Sequence, residues 1–325
     1  MVLRWPIVWA TVSAIGMLFV GCAPRVAPAP TLTPALQWDR DAALLPAPAH
    51  SPAPAPASMT TQLAFTPEPP PASTPTQETM PVEFTVVYDN NVYDAALRTA
   101  WGFACWVETP EGAVLFDTGG DGPTLLGNLA RMGLDPQMIG AVVLSHAHGD
   151  HTGGLAGLLD TGVRPMVYVP AAFPASFKEN VRARADLVEV TGPVEILPGV
   201  YTTGQVGSGI VEQALVVETG EGLVVVTGCA HPGVVEMVRR AREALPSPRP
   251  SPYQGERGVA LVMGGFHLKD TGQAQIEAIM AGLRSLGVQR VAPCHCTGDR
   301  ARQIFAEAFG AEFFPAGAGW TITFR

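Results

Sequence analysis

Six of the chain's seven histidines fall in four short segments, each at or just after an apolar run that reads as a strand. The densest is Ser145-His146-Ala147-His148-Gly149-Asp150-His151-Thr152-Gly153-Gly154, which follows Ala141-Val142-Val143-Leu144. The others are Thr227-Gly228-Cys229-Ala230-His231-Pro232-Gly233, Gly264-Gly265-Phe266-His267-Leu268 and Pro293-Cys294-His295-Cys296-Thr297-Gly298. A divalent metal site needs neutral imidazoles and carboxylates converging from several strand ends, and this distribution supplies them. In an extended segment His146 and His148 point the same way, because side chains alternate with period two. Both therefore reach one ion. Gly149 is expected to allow a tight turn, after which Asp150 and His151 open a helix carrying Leu155, Leu158 and Leu159. Adjacent residues at a helix start diverge, which lets Asp150 and His151 serve two different ions.

Two further residues are candidates with open roles. His267 fits three readings: a ligand, an acid or substrate contact, and a satisfied core histidine. Asp117 ends a strand and is expected to orient a ligand histidine or to tie down the loop at Gly149. Gly207-Ser208-Gly209 lacks the lysine of a phosphate-binding loop and is read as structural.

The elements that position these groups show in the apolar pattern. Strands are predicted over 84–88, 103–108 and 113–117, the last two as a hairpin around Pro110, Glu111 and Gly112. Leu125, Leu126, Leu129 and Met132 have helical spacing and stop at Gly133. The strand 141–144 delivers the first histidine cluster. Short strands follow at 166–169, 195–197, 214–218, 223–227, 259–263, 290–292 and 321–324, with helices at 234–245 and 274–286. Hairpin-style strands come first and strands alternate with helices later, so the pattern predicts a layered α/β fold. The run Pro246-Ser247-Pro248-Arg249-Pro250-Ser251-Pro252 reads as a surface loop.

Composition sets the surroundings. A 47% hydrophobic content in 325 residues suffices for one large core. A net charge of −9 without a basic cluster argues against a nucleic-acid partner, and a small-molecule substrate is the expected one. Arg4 followed by the apolar stretch 7–20 reads as an export signal, and Leu18-Phe19-Val20-Gly21-Cys22 resembles a lipoprotein cleavage box. Residues 1–22 are thus expected to be a signal peptide with lipobox. Residues 23–80, rich in Pro and Ala, are expected to be an extended linker, and residues 81–325 the folded domain. On this reading the protein is extracytoplasmic and is held at a membrane by the lipid on Cys22. Cys294 and Cys296, one residue apart, suit a mutual disulfide poorly.

The His146-x-His148-x-Asp150-His151 cluster, Phe116-Asp117-Thr118-Gly119 before it and a histidine-bearing strand end near the C-terminus together resemble the metallo-β-lactamase superfamily over residues 82–325. The Cys229-Ala230-His231, Phe266-His267-Leu268 and Cys294-His295-Cys296 segments are most similar to its group containing the dihydropterin-ribofuranosylaminobenzene 5′-phosphate synthases. The resemblance implies a four-layer αββα sandwich with metals at one edge. It also implies that His146, His148, Asp150, His151, His231 and His295 are ligands, to two zinc ions or to manganese or iron. The chain departs from the superfamily in three places. Cys229 stands where a bridging aspartate is usual, and is read either as a thiolate ligand or as buried packing. Pro198-Gly199-Val200-Tyr201-Thr202 lacks the usual turn histidine, for which His231 would substitute. Thr99-Ala100-Trp101-Gly102 replaces charged or histidine side chains.

The expected chemistry is metal-assisted hydrolysis of an ester, phosphoester or related bond, with Asp150 and His267 as the catalytic candidates. Two competing classes are a metal- or ligand-binding lipoprotein without turnover and an iron redox enzyme on the same fold.

Overall fold

The computed structural model of the chain describes residues 81–245 and 258–325. The signal segment, the linker, Cys22 and the proline-rich loop at 246–252 lie outside the described residues.

The chain opens with β1 (Val82–Tyr88), β2 (Ala104–Thr109) and β3 (Gly112–Phe116), then α1 (Gly122–Met132) and β4 (Ile139–Val143). The histidine cluster follows, with α2 (Gly149–Thr152) and α3 (Leu155–Asp160). Next come β5 (Met166–Pro170), α4 (Ala175–Arg182), β6 (Asp186–Val190), β7 (Val194–Leu197), β8 (Val200–Thr202), β9 (Leu215–Thr219) and β10 (Gly222–Thr227). The rest is α5 (Val234–Glu243), β11 (Val259–Gly265), α6 (Gln273–Ser285), β12 (Val288–Cys294), α7 (Asp299–Phe309) and β13 (Thr321–Phe324). The local chemistry explains the boundaries. Asp121 caps α1 by accepting a hydrogen bond from the Thr124 N–H at 2.7 Å, a proline sits in the first turn, and Gly133 closes the helix in a left-handed conformation.

Among the described residues the strands form two sheets, ordered β13-β1-β2-β3-β4-β5-β6 and β12-β11-β10-β9-β8-β7. Their facing sides build one core from Phe84, Val107, Phe116 and Val143 of the first sheet and Val226, Met263 and Ala292 of the second. The outer face of the first sheet is covered by Leu125 and Leu129 of α1, Leu158 of α3 and Val181 of α4. The outer face of the second is covered by Met237 of α5, Ile276 of α6 and Phe305 of α7. The architecture is the four-layer αββα sandwich expected.

The sheet directions explain why one rim collects the chemistry. β3 and β4 run parallel, as do β10, β11 and β12. The segments that leave the C-terminal ends of these five strands carry Asp117, the first histidine cluster, Cys229 with His231, His267, and His295.

Two expectations are corrected. The helix after the cluster is two pieces, broken at Gly153-Gly154. A Cβ on Gly153 would lie 2.1 Å from the Gly120 carbonyl oxygen, and one on Gly154 would lie 2.0 Å from that of Thr118. The break lets the cluster press against the loop after β3. Gly149, by contrast, has open space around its Cβ position and no left-handed φ, so the tight packing falls on the later glycines.

Candidate metal centre

His146 and His151 are fully buried, and one carboxylate orients both. Asp117 Oδ2 accepts a hydrogen bond from His151 Nδ1 at 2.7 Å and another from Ser145 Oγ at 2.7 Å. Ser145 Oγ, its proton committed to Asp117, accepts from His146 Nδ1 at 2.9 Å. The Ser145 N–H donates to the other carboxylate oxygen at 2.7 Å. The far nitrogen of each ring is therefore fixed as a donor, and each Nε2 lone pair faces inward. His295 is held the same way from a different element: its Nδ1 donates to Asn90 Oδ1 at 2.9 Å and its N–H to Asp89 Oδ2 at 3.1 Å. Asp117 thus orients a candidate ligand, as one of its two expected roles required. Its second tie is to Ser145 rather than to Gly149.

All six histidine and carboxylate candidates meet. His146 Nε2 faces His148 Nδ1 at 3.0 Å. The His231 ring lies with its centroid 4.8 Å from that of His146 and 5.0 Å from that of His148. Asp150 Oδ2 lies 3.6 Å from His151 Nε2 and 3.3 Å from His295 Nε2. Cys229 Sγ is 3.2 Å from His151 Nε2. It shares one group of donor atoms with Asp150, His151 and His295 and another with His146 and His231, each within 4.8 Å. His267 stands at the exposed edge, its ring centroid 4.4 Å from that of His231.

The electrostatics follow from burial among positive groups. Burial and the neighbouring imidazoles of His151 and His231 push His146 far below the usual histidine range. Burial and His267 hold His231 at about 4, which keeps its nitrogen neutral and able to bind a cation. Burial opposes a charge on Asp150, but the His295 and His151 imidazoles outweigh it and keep the carboxyl well below the carboxylate range. For His151 burial again works against charge, and the Asp117 carboxylate overrides it, raising the ring.

Two observations fit this site to a metal. His231 Nε2 and His295 Nε2 are buried without a hydrogen-bond partner, a state that costs roughly 1–3 kcal/mol per group unless a ligand takes the lone pair. The inward set is nitrogen, oxygen and sulfur, the donors that zinc and its neighbours accept. The donor groups and the family described below support divalent-metal binding.

Some site residues carry no sequence signal. Glu212 is fully buried just before β9. Its Oε1 accepts from the N–H groups of Gly228, Cys229 and Ala230 at 3.1, 3.0 and 2.8 Å, and its Oε2 from that of His231 at 2.9 Å. It is the anchor of the Cys229–His231 loop. Asp89 and Asn90 hold His295 in the same way. Trp101, half exposed, packs its ring against His295 at 4.8 Å between centroids. A cavity of about 270 Å³ opens beside it, lined by Trp101, His267, Lys269, Asp270, Thr271 and Cys296. The rim is conformationally demanding. Asp117, Ala230, His267 and His295 have φ of 57°, 57°, 53° and 48°, and are the non-glycine residues in the left-handed region among those described. Each sits just past the end of a site strand.

Residues 102–240 match the metallo-β-lactamase superfamily. A curated relative from Methanocaldococcus jannaschii, 7,8-dihydropterin-6-methyl-4-(beta-D-ribofuranosyl)-aminobenzene-5'-phosphate synthase, is 27% identical over 290 residues, 74% of this chain and 96% of the relative. Among solved structures, a metal-dependent hydrolase of the β-lactamase superfamily is similar with a TM-score of 0.59 and 27% identity, over 74% of this chain and 98% of that one. The metallo-β-lactamase fold protein YhfI from Bacillus subtilis has a TM-score of 0.53 at 16% identity, over 75% of this chain and 99% of its own, and shares the fold alone.

Proposed function

We propose that this chain, which belongs to the metallo-β-lactamase superfamily, is a metal-dependent hydrolase of an ester, phosphoester or related bond in a small molecule. The observation that carries the reading is the Asp150 carboxylate, set between His151 and His295 at 3.6 and 3.3 Å. His146, His148 and His231 would hold one ion and Asp150, His151 and His295 a second, with zinc the best match to the donors. Once bound, the metal supplies Lewis acidity toward the substrate oxygen and makes water acidic enough to attack near neutral pH. Asp150 would hold and deprotonate the attacking water: its carboxylate is ionised and half-buried, with Oδ2 3.6 Å from His151 Nε2 and 3.3 Å from His295 Nε2. Asp117 keeps the His146 and His151 tautomers constant through the cycle, and Asn90 does so for His295. Trp101 walls the approach and excludes water from one side of His295.

The relative named a synthase favours a second reading, bond formation at the same centre. A panel of esters, lactones and phosphodiesters separates the two. Metal-loaded protein should turn over at least one member. Asp150→Ala should retain one ion and lose roughly 10²–10⁴-fold in rate, the contribution of a positioned base. Turnover indifferent to Asp150→Ala would refute the role given to that carboxylate, and no turnover anywhere in the panel would favour the synthase reading. We also propose export with a lipid on Cys22. Mass spectrometry of the mature N-terminus should find the diacylated cysteine, and an unmodified start beyond Cys22 would rule out the anchor.

A further inference from the structure

The six histidine and carboxylate candidates form two sets of three that meet without any sulfur. His146, His148 and His231 make one triangle, and Asp150, His151 and His295 the other. Cys229 borders both triangles, sharing one donor group with Asp150, His151 and His295 and another with His146 and His231. Its sulfur joins a third group with Cys296 Sγ and a ring nitrogen of His267, all within 4.8 Å of one another. We propose that Cys229, Cys296 and His267 form a further metal site, for zinc or a similarly thiolate-tolerant ion, beside the two-ion centre.

The donor chemistry selects such an ion. Two thiolates and one imidazole are a soft set, unlike the nitrogen and oxygen triads next to it. Three protein donors leave one coordination position for a water or an incoming ligand. That position faces the 270 Å³ cavity, because His267 and Cys296 both line it. The cavity is also the access route.

The backbone is shaped to hold these groups together. A Cβ on Gly265 would lie 2.7 Å from Cys296 Sγ and 2.4 Å from the Gly228 carbonyl oxygen, so the thiol fills space that only glycine leaves open. His267 adopts its left-handed φ of 53° immediately after the Gly264-Gly265-Phe266 strand end. Such a conformation persists where the surroundings hold it, and here it carries the imidazole back toward the two sulfurs. The single helical turn at His295–Thr297 sends neighbouring side chains to different places: His295 to Asp150, Cys296 to Cys229. Neither sulfur is spent on a disulfide, since all the described cysteines are free. Cys229 Sγ also lies 3.2 Å from His151 Nε2, so its thiolate borders both the new site and the two-ion centre.

The proposal rests on the centre holding its own two ions and is independent of hydrolysis. The test is metal counting on the full protein, purified under reducing conditions and loaded with cobalt(II) alone. Three equivalents per chain are expected, with a near-ultraviolet thiolate-to-cobalt charge-transfer band. Cys296→Ser should bind about two equivalents and lose at least half of that band. His267→Ala, altered at an exposed position, should also fall to about two equivalents and serves if the cysteine variant fails to fold. Two equivalents in the unaltered protein would overturn the proposal. So would a full band in both variants, which would put Cys229 in the two-ion centre alone. None of these readouts requires turnover, so a failed substrate panel leaves the count decisive.

Discussion

Replacing Glu212 by glutamine tests whether the loop carrying Cys229 and His231 is positioned by one buried carboxylate. Glu212 has no exposed surface and receives four backbone N–H groups, three on one oxygen and one on the other. Its burial pushes the carboxyl up to about 7, with the Ala230 and His231 N–H groups opposing that rise. Glutamine has the same shape but offers one acceptor oxygen. If that oxygen keeps the three donors, the amide NH₂ meets the His231 N–H, donor against donor. An orphaned buried N–H costs about 1–3 kcal/mol, and weakening three bonds to a charged acceptor adds several tenths each, for a total of about 3 kcal/mol. In a domain of this size 1 kcal/mol moves the melting temperature by roughly 2–4 °C, so Tm should fall by roughly 6–12 °C. Circular dichroism melts give that number, and metal analysis at limiting divalent cation should show lower occupancy because His231 has shifted. A fall of under about 2 °C with undiminished metal would refute the argument, because the four N–H groups would then have found other acceptors.

Other outcomes follow from the same geometry. His148→Ala removes an imidazole that faces His146 at 3.0 Å, so metal content and turnover should fall together; full metal with full turnover would overturn the metallo-hydrolase reading. Asp117→Asn leaves the rings in place but no longer dictates which nitrogen of His151 carries the proton. Metal affinity should drop about 10–100-fold in chelator competition, and a change of under twofold would deny Asp117 its orienting role.

The rim of the site is readable because its strands are apolar and mostly buried and a histidine follows each within two to four residues of its end. β4, β10 and β11 announce themselves in this way. The paired glycines at 153 and 154 were visible but not their purpose, which depends on a loop more than thirty residues away in the chain. α4, β6, β8 and α7 stand outside the predicted elements, three of them for a simpler reason. β6 buries only one of its five residues fully, β8 has three residues, α4 buries Val181 alone, and α7 buries only Ala301 and Phe305. In α4, β6 and β8 so few apolar positions leave no clear period, whereas Ala301, Ile304, Phe305, Ala308 and Phe309 of α7 repeat at helical spacing and are legible. Glu212, Asp89 and Asn90 are single polar residues in loops, and only the folded chain shows what they bind. The Cys294-His295-Cys296 triplet stands out in the sequence, yet its alternating directions come from a helical turn that no local pattern declares.

The pairing of β13 with β1 has a consequence for how the domain comes into being. Val82 lies opposite Phe324 and Thr85 opposite Thr321, so the first strand made completes its ladder only with the last. The histidines behave alike: His146 and His295 are about 150 residues apart in the chain yet belong to one centre. Contacts of such long sequence separation form slowly. A growing chain that has not yet delivered β13 exposes the edge of β1 and lacks a finished rim. Synthesis must therefore run nearly to the end of this domain before it can fold, and ribosome-stalled intermediates should bind metal only once the residues of β12 and β13 have emerged.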